Sequence, residues 1–488
     1  MTPFLIQDSL AQRLSLTELQ ADAFPHPTHF HGTALLRRFG IVGTIALAAA
    51  LPSEALAGEL DGATLGLAWG LPFVGILLSI ALFPLFAPHF WEHHHGKVAL
   101  FWAAFVMIPM ALFFGITDTT HALAHTALLE YIPFILLLLA LFTVASGIVV
   151  FGNLHGAPVT NTVLLGIGTI LASLIGTTGA SMVMIRPVLR ANDDRKHNVH
   201  VVVFFIFLVS NIGGSLTPLG DPPLFLGFLR GVDLFWTTRH LFPETMFTVG
   251  IILAVFFVLD TVIYRREGHT RPDPTPDRPI RVHGAINMVL GGVIIIAILL
   301  SAKLQLGTLT VLETEVAIQN LLRDAVMVVV TLVSLLTTPK QNHLANGFSW
   351  SPIIEVAALF AGIFVTIIPV LAMLRAGAAG VFAPLVSMVT NADGSANVAA
   401  YFWLTGGLSS FLDNAPTYLV FFELAGGRAE WLMREGASTL AAISAGAVFM
   451  GANTYIGNAP NFMVYAIARQ KGVKMPSFFG YMLWSGYA

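Results

Sequence analysis

One polar, glycine-rich motif occurs twice in this sequence, about half a chain apart and each time inside an apolar segment. The first copy is SNIGGSLTPLGDPP at residues 210–223, and the second is MGANTYIGNAPN at residues 450–461. At an offset of 237 residues, glycine, threonine and proline positions of the two copies coincide, and Asp221 falls on Asn458. Because glycine and proline interrupt helices, the duplication predicts two equivalent broken helices, an arrangement typical of binding sites in secondary transporters.

Composition places these segments in a membrane. Of 488 residues, 56% are hydrophobic and 10% are charged, whereas about 25% of a soluble domain is charged. The apolar runs are too numerous for one water-facing core, so we expect a polytopic protein partnered by the lipid bilayer. The chain has no cysteine, which excludes disulfides, thiolate metal sites and cysteine catalysis. It has no basic nucleic-acid patch, Walker loop or Gly-x-Ser-x-Gly elbow, so we expect neither a nucleic-acid partner nor an enzyme.

The apolar runs predict an all-α membrane protein with two repeats, each containing a re-entrant helical hairpin and a broken transmembrane helix. In the first half the segments are 64–87, 97–116, 128–151, a hairpin within 160–190, a broken helix at 199–230, and 244–264. In the second half they are 285–304, 325–338, 351–374, a hairpin within 399–427, a broken helix at 437–470, and 476–488. We therefore predict repeats at 64–264 and 285–488, joined by a charged, proline-rich linker at 265–284.

Residues 1–60 form a polar N-terminal segment with a candidate signal or anchor helix. Arg37 and Arg38 precede an apolar stretch at 39–52 that ends near the small residues at 55–57. This is the order of a signal peptide, although the 36 residues before it argue against simple export. Both a cleaved signal and a retained span stay open for residues 39–57.

Basic residues cluster in three stretches that we expect on the cytoplasmic side. They follow the first hairpin (Arg190, Arg195, Lys196), fill the linker (Arg265, Arg266, Arg271, Arg278, Arg281) and follow the second broken helix (Arg469, Lys471, Lys474). One topology satisfies all three stretches, in which the first hairpin enters from the cytoplasm and the second from outside. We therefore predict inverted-topology repeats in the inner (plasma) membrane.

The tips of the two predicted hairpins also match. At an offset of 236, SLIGTTGAS at 173–181 lies on SSFLDNAPT at 409–417. Non-helical backbone at membrane depth must be buried in protein or line a watery cavity, so we expect the tips to meet the helix breaks near the midplane. The small polar residues there are the candidate ion or substrate ligands, namely Thr177, Thr178, Ser181, Asn211, Thr217, Asp221, Asp413, Asn414, Thr417, Asn453, Thr454 and Asn458.

Three carboxylates lie within or near apolar segments, where ionisable groups are costly and commonly functional. Asp413 is at the second hairpin tip, Asp221 at the first break, and Glu355 one turn into the segment 351–374. We expect them to serve proton coupling. The alternative is structural, because Asp413 and Asp221 are placed to cap helices and Glu355 to begin one at the interface. Arg186 is the nearest basic residue, and we expect it to extend toward the cytoplasmic interface.

Histidines provide two weaker candidate sites. The run WEHHHGK at 91–97 could bind a metal or respond to pH. Because consecutive histidines do not share a helical face, we favour a short interfacial loop there. His121 and His125 lie four residues apart beside Asp118, a spacing that could form a weak metal site outside the membrane.

Three motifs carry a family resemblance: LDNAPT at 412–417, TPLGDPP at 217–223 and YIGNAPN at 455–461. They resemble motifs of the ion transporter superfamily, which groups NhaD-type sodium/proton antiporters, arsenite permeases, CitMHS-type citrate carriers and divalent-anion/sodium symporters. The likeness covers about residues 60–488 and is greatest to the NhaD-type and CitMHS-type branches. It implies scaffold and transport parts, alternating access and often a homodimer. The hairpin tips differ from the Ser-Asn-Thr tips of the dicarboxylate symporters.

These features lead us to expect a secondary transporter, and first of all a sodium/proton antiporter. Sodium would lose water to Asn414, Thr417 and Asn458, while Asp413, with Asp221, alternates between sodium and protons. Burial favours the protonated form of a carboxylate, which allows this exchange near neutral pH. We expect no cofactor beyond the transported ions. Two alternatives stay open: a sodium- or proton-coupled carrier of a citrate-like organic anion or an oxyanion, and an ion channel.

Overall fold

The computed structural model of the protein describes residues 60–268 and 278–487. Within these ranges, eight helices are long and apolar enough to cross a membrane, and a further apolar pair is bent by 41°. The predicted class, an all-α polytopic membrane protein, is confirmed. The alternative of a signal or a span at 39–57, and the linker residues 269–277 with Arg271, lie outside the described residues.

The first half begins with α1 (Leu71–Phe86), α2 (Pro88–Phe113) and α3 (Ile116–Thr126), which continues through a π-helical turn at Ala127–Tyr131 into α4 (Ile132–Ser146). Strand β1 (Val149–Asn153) leads into a hairpin of α5 (Pro158–Ile175) and α6 (Thr177–Ala191). The first broken helix consists of α7 (Val199–Leu208), a 3-10 turn (Ile212–Leu216) and α8 (Pro222–Leu229), and α9 (Trp236–Glu267) follows it.

The second half follows strand β2 (Arg278–His283) and contains α10 (Ala285–Lys303), strands β3 (Thr308–Val311) and β4 (Thr314–Ala317), α11 (Ile318–Thr337) and α12 (Lys340–Ala345). The bent pair is α13 (Ser351–Thr366) with α14 (Ile368–Arg375), followed by α15 (Ala383–Met388). A hairpin of α16 (Val398–Ser409) and α17 (Asn414–Leu424) precedes the short α18 (Ala429–Met433). The second broken helix consists of α19 (Ala437–Phe449), a 3-10 turn (Met450–Asn453) and α20 (Ala459–Gln470), and α21 (Phe478–Tyr487) is last.

Local chemistry sets the positions of the breaks. Gly176 turns the first hairpin tip with a φ of +80°, in the region that favours glycine. Asp221 is extended (φ −141°, ψ 142°), as expected for a residue that precedes proline. Pro222 begins α8, and Pro460 is the second residue of α20; in the first turn of a helix the missing N–H costs no intrahelical hydrogen bond.

The helices of the two halves pack across each other. Helix α6 of the first hairpin packs against α20 of the second broken helix, and α17 of the second hairpin packs against α8 of the first. Each hairpin therefore contacts the broken helix of the other half. This crossing brings the two hairpin tips and the two breaks into one region.

Two stretches outside the predicted spans contain regular secondary structure. The end of the predicted linker forms β2, which pairs antiparallel with β1 so that Val150 lies opposite Val282. The histidine run at 91–97, predicted as an interfacial loop, belongs to α2, which already begins at Pro88. Proline at the first position of a helix favours an early start, and the histidine rings hydrogen-bond to carbonyls one turn back.

Candidate functional site

One buried carboxylate joins the tips of both hairpins. The Asp221 side chain, 1% exposed, accepts a hydrogen bond at Oδ1 from Thr177 Oγ1 (3.0 Å). Its Oδ2 accepts from Asn414 Nδ2 (2.6 Å). Thr177 begins the returning helix of the first hairpin and Asn414 begins that of the second. A group of the first helix break therefore holds the two tips together.

The two aspartates make different contacts at their helix starts. Asp413 caps α17, because its Oδ1 accepts from the backbone N–H of Ala415 (3.0 Å). The described residues provide no partner for Asp413 Oδ2. Asp221 stands at the N-cap of α8 without a side-chain cap bond, so the capping alternative is wrong for Asp221 and holds for one oxygen of Asp413.

Asparagine amides connect the two breaks. Asn458 Nδ2 donates to Asn211 Oδ1 (2.8 Å) and to the carbonyl of Ser210 (3.1 Å). Asn211 Nδ2 in turn donates to Asn461 Oδ1 (2.7 Å). Asn461 is fully buried and was missed as a site residue, although it closes the second copy of the duplicated motif.

Equivalent hydrogen bonds recur in the two halves. Thr217 Oγ1 donates to the carbonyl of Ser173 (2.5 Å), and Thr454 Oγ1 donates to the carbonyl of Ser410 (2.6 Å). Both partners are 237 residues apart, so Ser173 corresponds to Ser410 and not to Ser409, as the hairpin offset of 236 had predicted. The hairpins thus share the offset of the breaks.

This change of register alters one comparison at the tips. Gly176 and Asp413 are both the N-cap of the returning helix, and Thr177 and Asn414 are both its first residue. The Asp413 carboxylate therefore corresponds to a glycine that has no side chain. Thr177 and Asn414 are equivalent, and both donate to Asp221.

Several predicted ligands form hydrogen bonds with backbone carbonyls or with serine side chains of the tips and breaks. Ser181 Oγ pairs with Ser210 Oγ (2.8 Å). Thr417 Oγ1 donates to the carbonyl of Asp413 (2.9 Å), and Asn453 Nδ2 donates to Ser410 Oγ (2.9 Å). With Thr217, Thr454 and Asn211, these residues support the tips and breaks and do not line the cavity described next.

A cavity of about 510 Å³ adjoins the tips. The predicted site residues that line it are Thr178, Asp221, Asp413, Asn414, Asn458 and Glu355. It extends to Asn346 and Gly347 before α13 and to Gln470 at the end of α20, one residue before Lys471. The cavity therefore connects the hairpin tips with a stretch of the surface that is rich in basic residues.

Glu355 belongs to the wall of this cavity and is half-buried. Its Oε1 accepts a hydrogen bond from Trp91 Nε1 (2.9 Å), which joins α13 to α2. It lies in the second turn of α13. Glu355 thus faces the same space as the two aspartates, although it comes from a helix outside the hairpins and breaks.

Arg186 also lines the cavity. Its Nη1 is buried and has no hydrogen-bond partner among the described residues. The guanidinium lies against Gly347, where an added Cβ would come within 2.5 Å of Nη2. Arg186 is the one basic residue among those that line the cavity, and its position five residues beyond Ser181 was the signal for it.

The family of the chain follows from a match over nearly its whole described length. A model of the protein family described as "Putative citrate transport" matches residues 62–488. The chain belongs to this family. The match begins near Gly62, before α1, and includes both hairpins, both breaks and every residue of the cavity. The CitMHS-like resemblance read from the motifs is confirmed.

Family membership and the helical fold make the protein a multi-pass membrane transporter for a small solute. Its partners are therefore the bilayer and that solute. No curated protein matches the chain with significant similarity.

Proposed function

We propose that the protein exchanges sodium ions for protons by alternating access. The observation that carries this proposal is the placement of two carboxylates at the meeting point of the hairpin tips. Asp221 accepts from both tips, and Asp413 Oδ2, without a partner among the described residues, belongs to a side chain that lines the same cavity. A sodium ion prefers oxygen ligands, and carboxylate, amide and backbone oxygens are all present there.

Exchange requires sodium and protons to compete for the same carboxylates. Sodium bound between Asp221 and Asp413 would offset the charge of carboxylates that are costly to bury. Protonation of the same groups offsets that charge too, so a site holding protons has less affinity for sodium. Asn414 and Asn458 supply amide oxygens to the ion, and no cofactor is required.

The charge of the cavity supports a cation. Three carboxylates and one guanidinium are among its lining residues. An ionised Asp221, Asp413 and Glu355 leave an excess of negative charge that would attract a cation and repel a multivalent anion.

A second candidate function is coupled transport of a citrate-like organic anion, and Arg186 is the observation that favours it. A buried guanidinium nitrogen without a partner can form a charge-assisted hydrogen bond to a carboxylate. The description of the family fits this candidate as well. In this case the aspartates would hold the coupling cation, and Arg186 would hold the anion.

Transport by the purified protein in liposomes tests the proposal. We expect an imposed pH gradient to drive sodium or lithium movement, with protons moving in the opposite direction, and no movement of citrate or arsenite. Asp413→Asn should remove the exchange, whereas Arg186→Gln should retain it. Citrate uptake that Arg186→Gln abolishes would move the assignment to the anion carrier, and ion flux far above carrier turnover would indicate a channel.

The proposed setting is the inner membrane, with the basic stretches at Lys196 and Lys471 in the cytoplasm. The cavity would then open inward in the conformation described here, since it reaches Gln470. A homodimer, as the superfamily resemblance implies, is part of this proposal. Its test is the molar mass of the protein in detergent, for which one protomer contributes 52.4 kDa.

A further inference from the structure

The first turns of α2 place three metal-binding side chains on one exposed face. His89, Glu92 and His93 are separated by three and four residues, which stacks them along a helix. One ligand atom from each lies within 4.8 Å of the others, and all three residues are exposed. None of them lines the transport cavity.

The hydrogen bond of one ring orients it for metal binding. His93 Nδ1 lies 2.9 Å from the carbonyl oxygen of His89. A carbonyl only accepts, so Nδ1 carries the proton and Nε2 keeps its lone pair. Metal-bound histidines commonly make this kind of second hydrogen bond, which selects the tautomer and holds the ring.

We propose that His89, Glu92 and His93 bind a divalent transition-metal ion, with Zn²⁺ as the representative. Two imidazole nitrogens and one carboxylate oxygen form a ligand set that zinc accepts. Three protein ligands leave a fourth position for water or an exchangeable group. The site is distinct from the proposed sodium site, because its ligands include nitrogen and it faces away from the cavity.

The position of this site connects it to the transport cavity. Trp91 lies between His89 and Glu92 in sequence, is 5% exposed and donates to Glu355 in the cavity wall. A metal bound by His89, Glu92 and His93 would crosslink one turn on the exposed face of α2. It would thereby restrain the same turn on the buried face, which carries Trp91. Bound metal would therefore slow any transport step in which Glu355 separates from Trp91.

The same helix offers a matched control. His94 and His95 make the same type of bond, with Nδ1 lying 3.1 Å and 3.2 Å from the carbonyls of Phe90 and Trp91. His94 stacks on Phe90, and neither histidine belongs to the three-residue cluster. The double variant His94→Ala/His95→Ala removes as many imidazoles as His89→Ala/His93→Ala but leaves the cluster intact.

The experiment is a Zn²⁺ titration of the purified, metal-stripped full chain in detergent, in competition with a chromophoric chelator. We expect one Zn²⁺ per chain to be lost in His89→Ala/His93→Ala, and at least about a tenfold weaker affinity in Glu92→Gln. The His94→Ala/His95→Ala protein should bind as the parent does.

Two results would overturn the assignment. One is unchanged Zn²⁺ binding in His89→Ala/His93→Ala, which would place the metal elsewhere in the chain. The other is equal loss in the control variant, which would indicate a nonspecific response to missing histidines. Because Glu92→Gln preserves size and helix propensity, its result decides the matter if the histidine variant does not fold.

Discussion

Asp221 is the residue on which the two hairpins depend. Its carboxylate is almost completely buried, and each oxygen has a donor from a different hairpin. Hydrogen bonds to charged acceptors stabilise a structure by roughly 1.5–3 kcal/mol each. The bonds from Thr177 and Asn414 therefore account for much of what holds the tips in contact.

The first prediction concerns Asp221. Asp221→Asn keeps size and one acceptor oxygen, and its new amide can donate to Thr177 Oγ1, so the protein should insert and remain folded. It removes the charge that the ion would need, so sodium-driven proton movement should fall at least about tenfold, equivalent to 1.4 kcal/mol. The measurement is antiport in liposomes at matched protein content. Parental rates with parental pH dependence would show that Asp221 serves only to join the tips.

The second prediction concerns Asp413, whose counterpart in the first hairpin is glycine. Because Gly176 is the N-cap of α6 and provides no side-chain cap, the fold does not demand a charge at this position. Asp413→Asn retains a cap acceptor and should preserve expression while abolishing exchange. Asp413→Glu should retain part of the activity with a displaced pH optimum. Full exchange by the asparagine variant would contradict the proposed antiport mechanism.

For individual residues, the sequence predicted which side chains line the site better than it predicted their hydrogen-bond partners. Asp221, Asp413 and Asn458 were predicted from their position in broken apolar segments, and all three line the cavity. The contact of Arg186 with Gly347 could not be predicted, because the two residues are far apart in sequence. The roles of Thr217 and Thr454 could not be read from sequence, since their acceptors are carbonyls of another segment.

Among the elements, the breaks depend on two close backbone approaches. A Cβ added at Gly220 would lie 2.2 Å from the carbonyl oxygen of Gly214, and one at Gly457 would lie 2.3 Å from that of Gly451. Such distances leave no room for a side chain. The two glycines therefore allow the backbone to fold back closely on itself before α8 and before α20.

The third prediction follows from this crowding. Gly220→Ala and Gly457→Ala should each displace a break, lower stability by about 1–3 kcal/mol and impair transport. Gly407→Ala in α16 is the control, because nothing lies within 4 Å of its added Cβ. Melting temperature in detergent and transport in liposomes are the measurements. Parental behaviour of Gly220→Ala would mean that the break relaxes freely.

Helices and strands differ in how well they could be predicted from local sequence features. Long apolar runs and Gly/Pro breaks are local, so the hairpins at α5–α6 and α16–α17 and both broken helices were found. Strands β1 and β2 are short and pair across more than a hundred residues, so neither has a local signal of its own. The histidine run lies in a helix and not in a loop because Pro88 starts α2 before the run, and a helix start of this kind is a weak signal beside three consecutive polar rings.

On the scale of the whole molecule, a charged cluster joins elements at the ends of α8 and α17 that point away from the site. Arg230, which follows α8, pairs with Glu423 of α17 and with Glu130 in the π-helical turn (2.9 Å). Arg375 at the end of α14 also pairs with Glu423 (3.1 Å). The cluster connects the broken helix and the hairpin with the π-helical turn and α14. It lies at the ends of α8 and α17 opposite those that carry Asp221 and Asn414, and we expect it to hold this side of the protein closed.

The fourth prediction tests this closure. Arg230→Met removes the ion pair of the largely buried Glu130 and leaves Glu423 with Arg375 as its partner. An uncompensated charge on Glu130 should cost about 3–5 kcal/mol and favour opening of that side. Arg434→Met is the control, because its pair with Glu430 (3.7 Å) is exposed on both partners. Thermal unfolding in detergent measures the effect. Equal stability of the two variants would argue against a closing role for the cluster.

The fifth prediction concerns the arrangement of the halves in the membrane. Lys196, Lys471 and Arg428 are exposed, and the parent chain has no cysteine. Single cysteines at Lys196 and Lys471 should react from the cytoplasmic side, and one at Arg428 from the outside. Labelling of Lys196→Cys and Arg428→Cys from the same side of intact cells would exclude inverted repeats.

The pairing of β1 with β2 limits how far the first hairpin can move. Both strands adjoin helices outside the hairpin, since β1 follows α4 and β2 precedes α10. Along the backbone, residues 154–157 connect the first hairpin to this strand pair, a stretch that spans roughly 17 Å between strand and helix when fully extended. Arg190 of α6 adds a hydrogen bond to the carbonyl of Val150 in β1 (2.6 Å). During transport, the first hairpin can therefore move along the membrane normal by less than that length. A larger movement would have to separate β1 from β2.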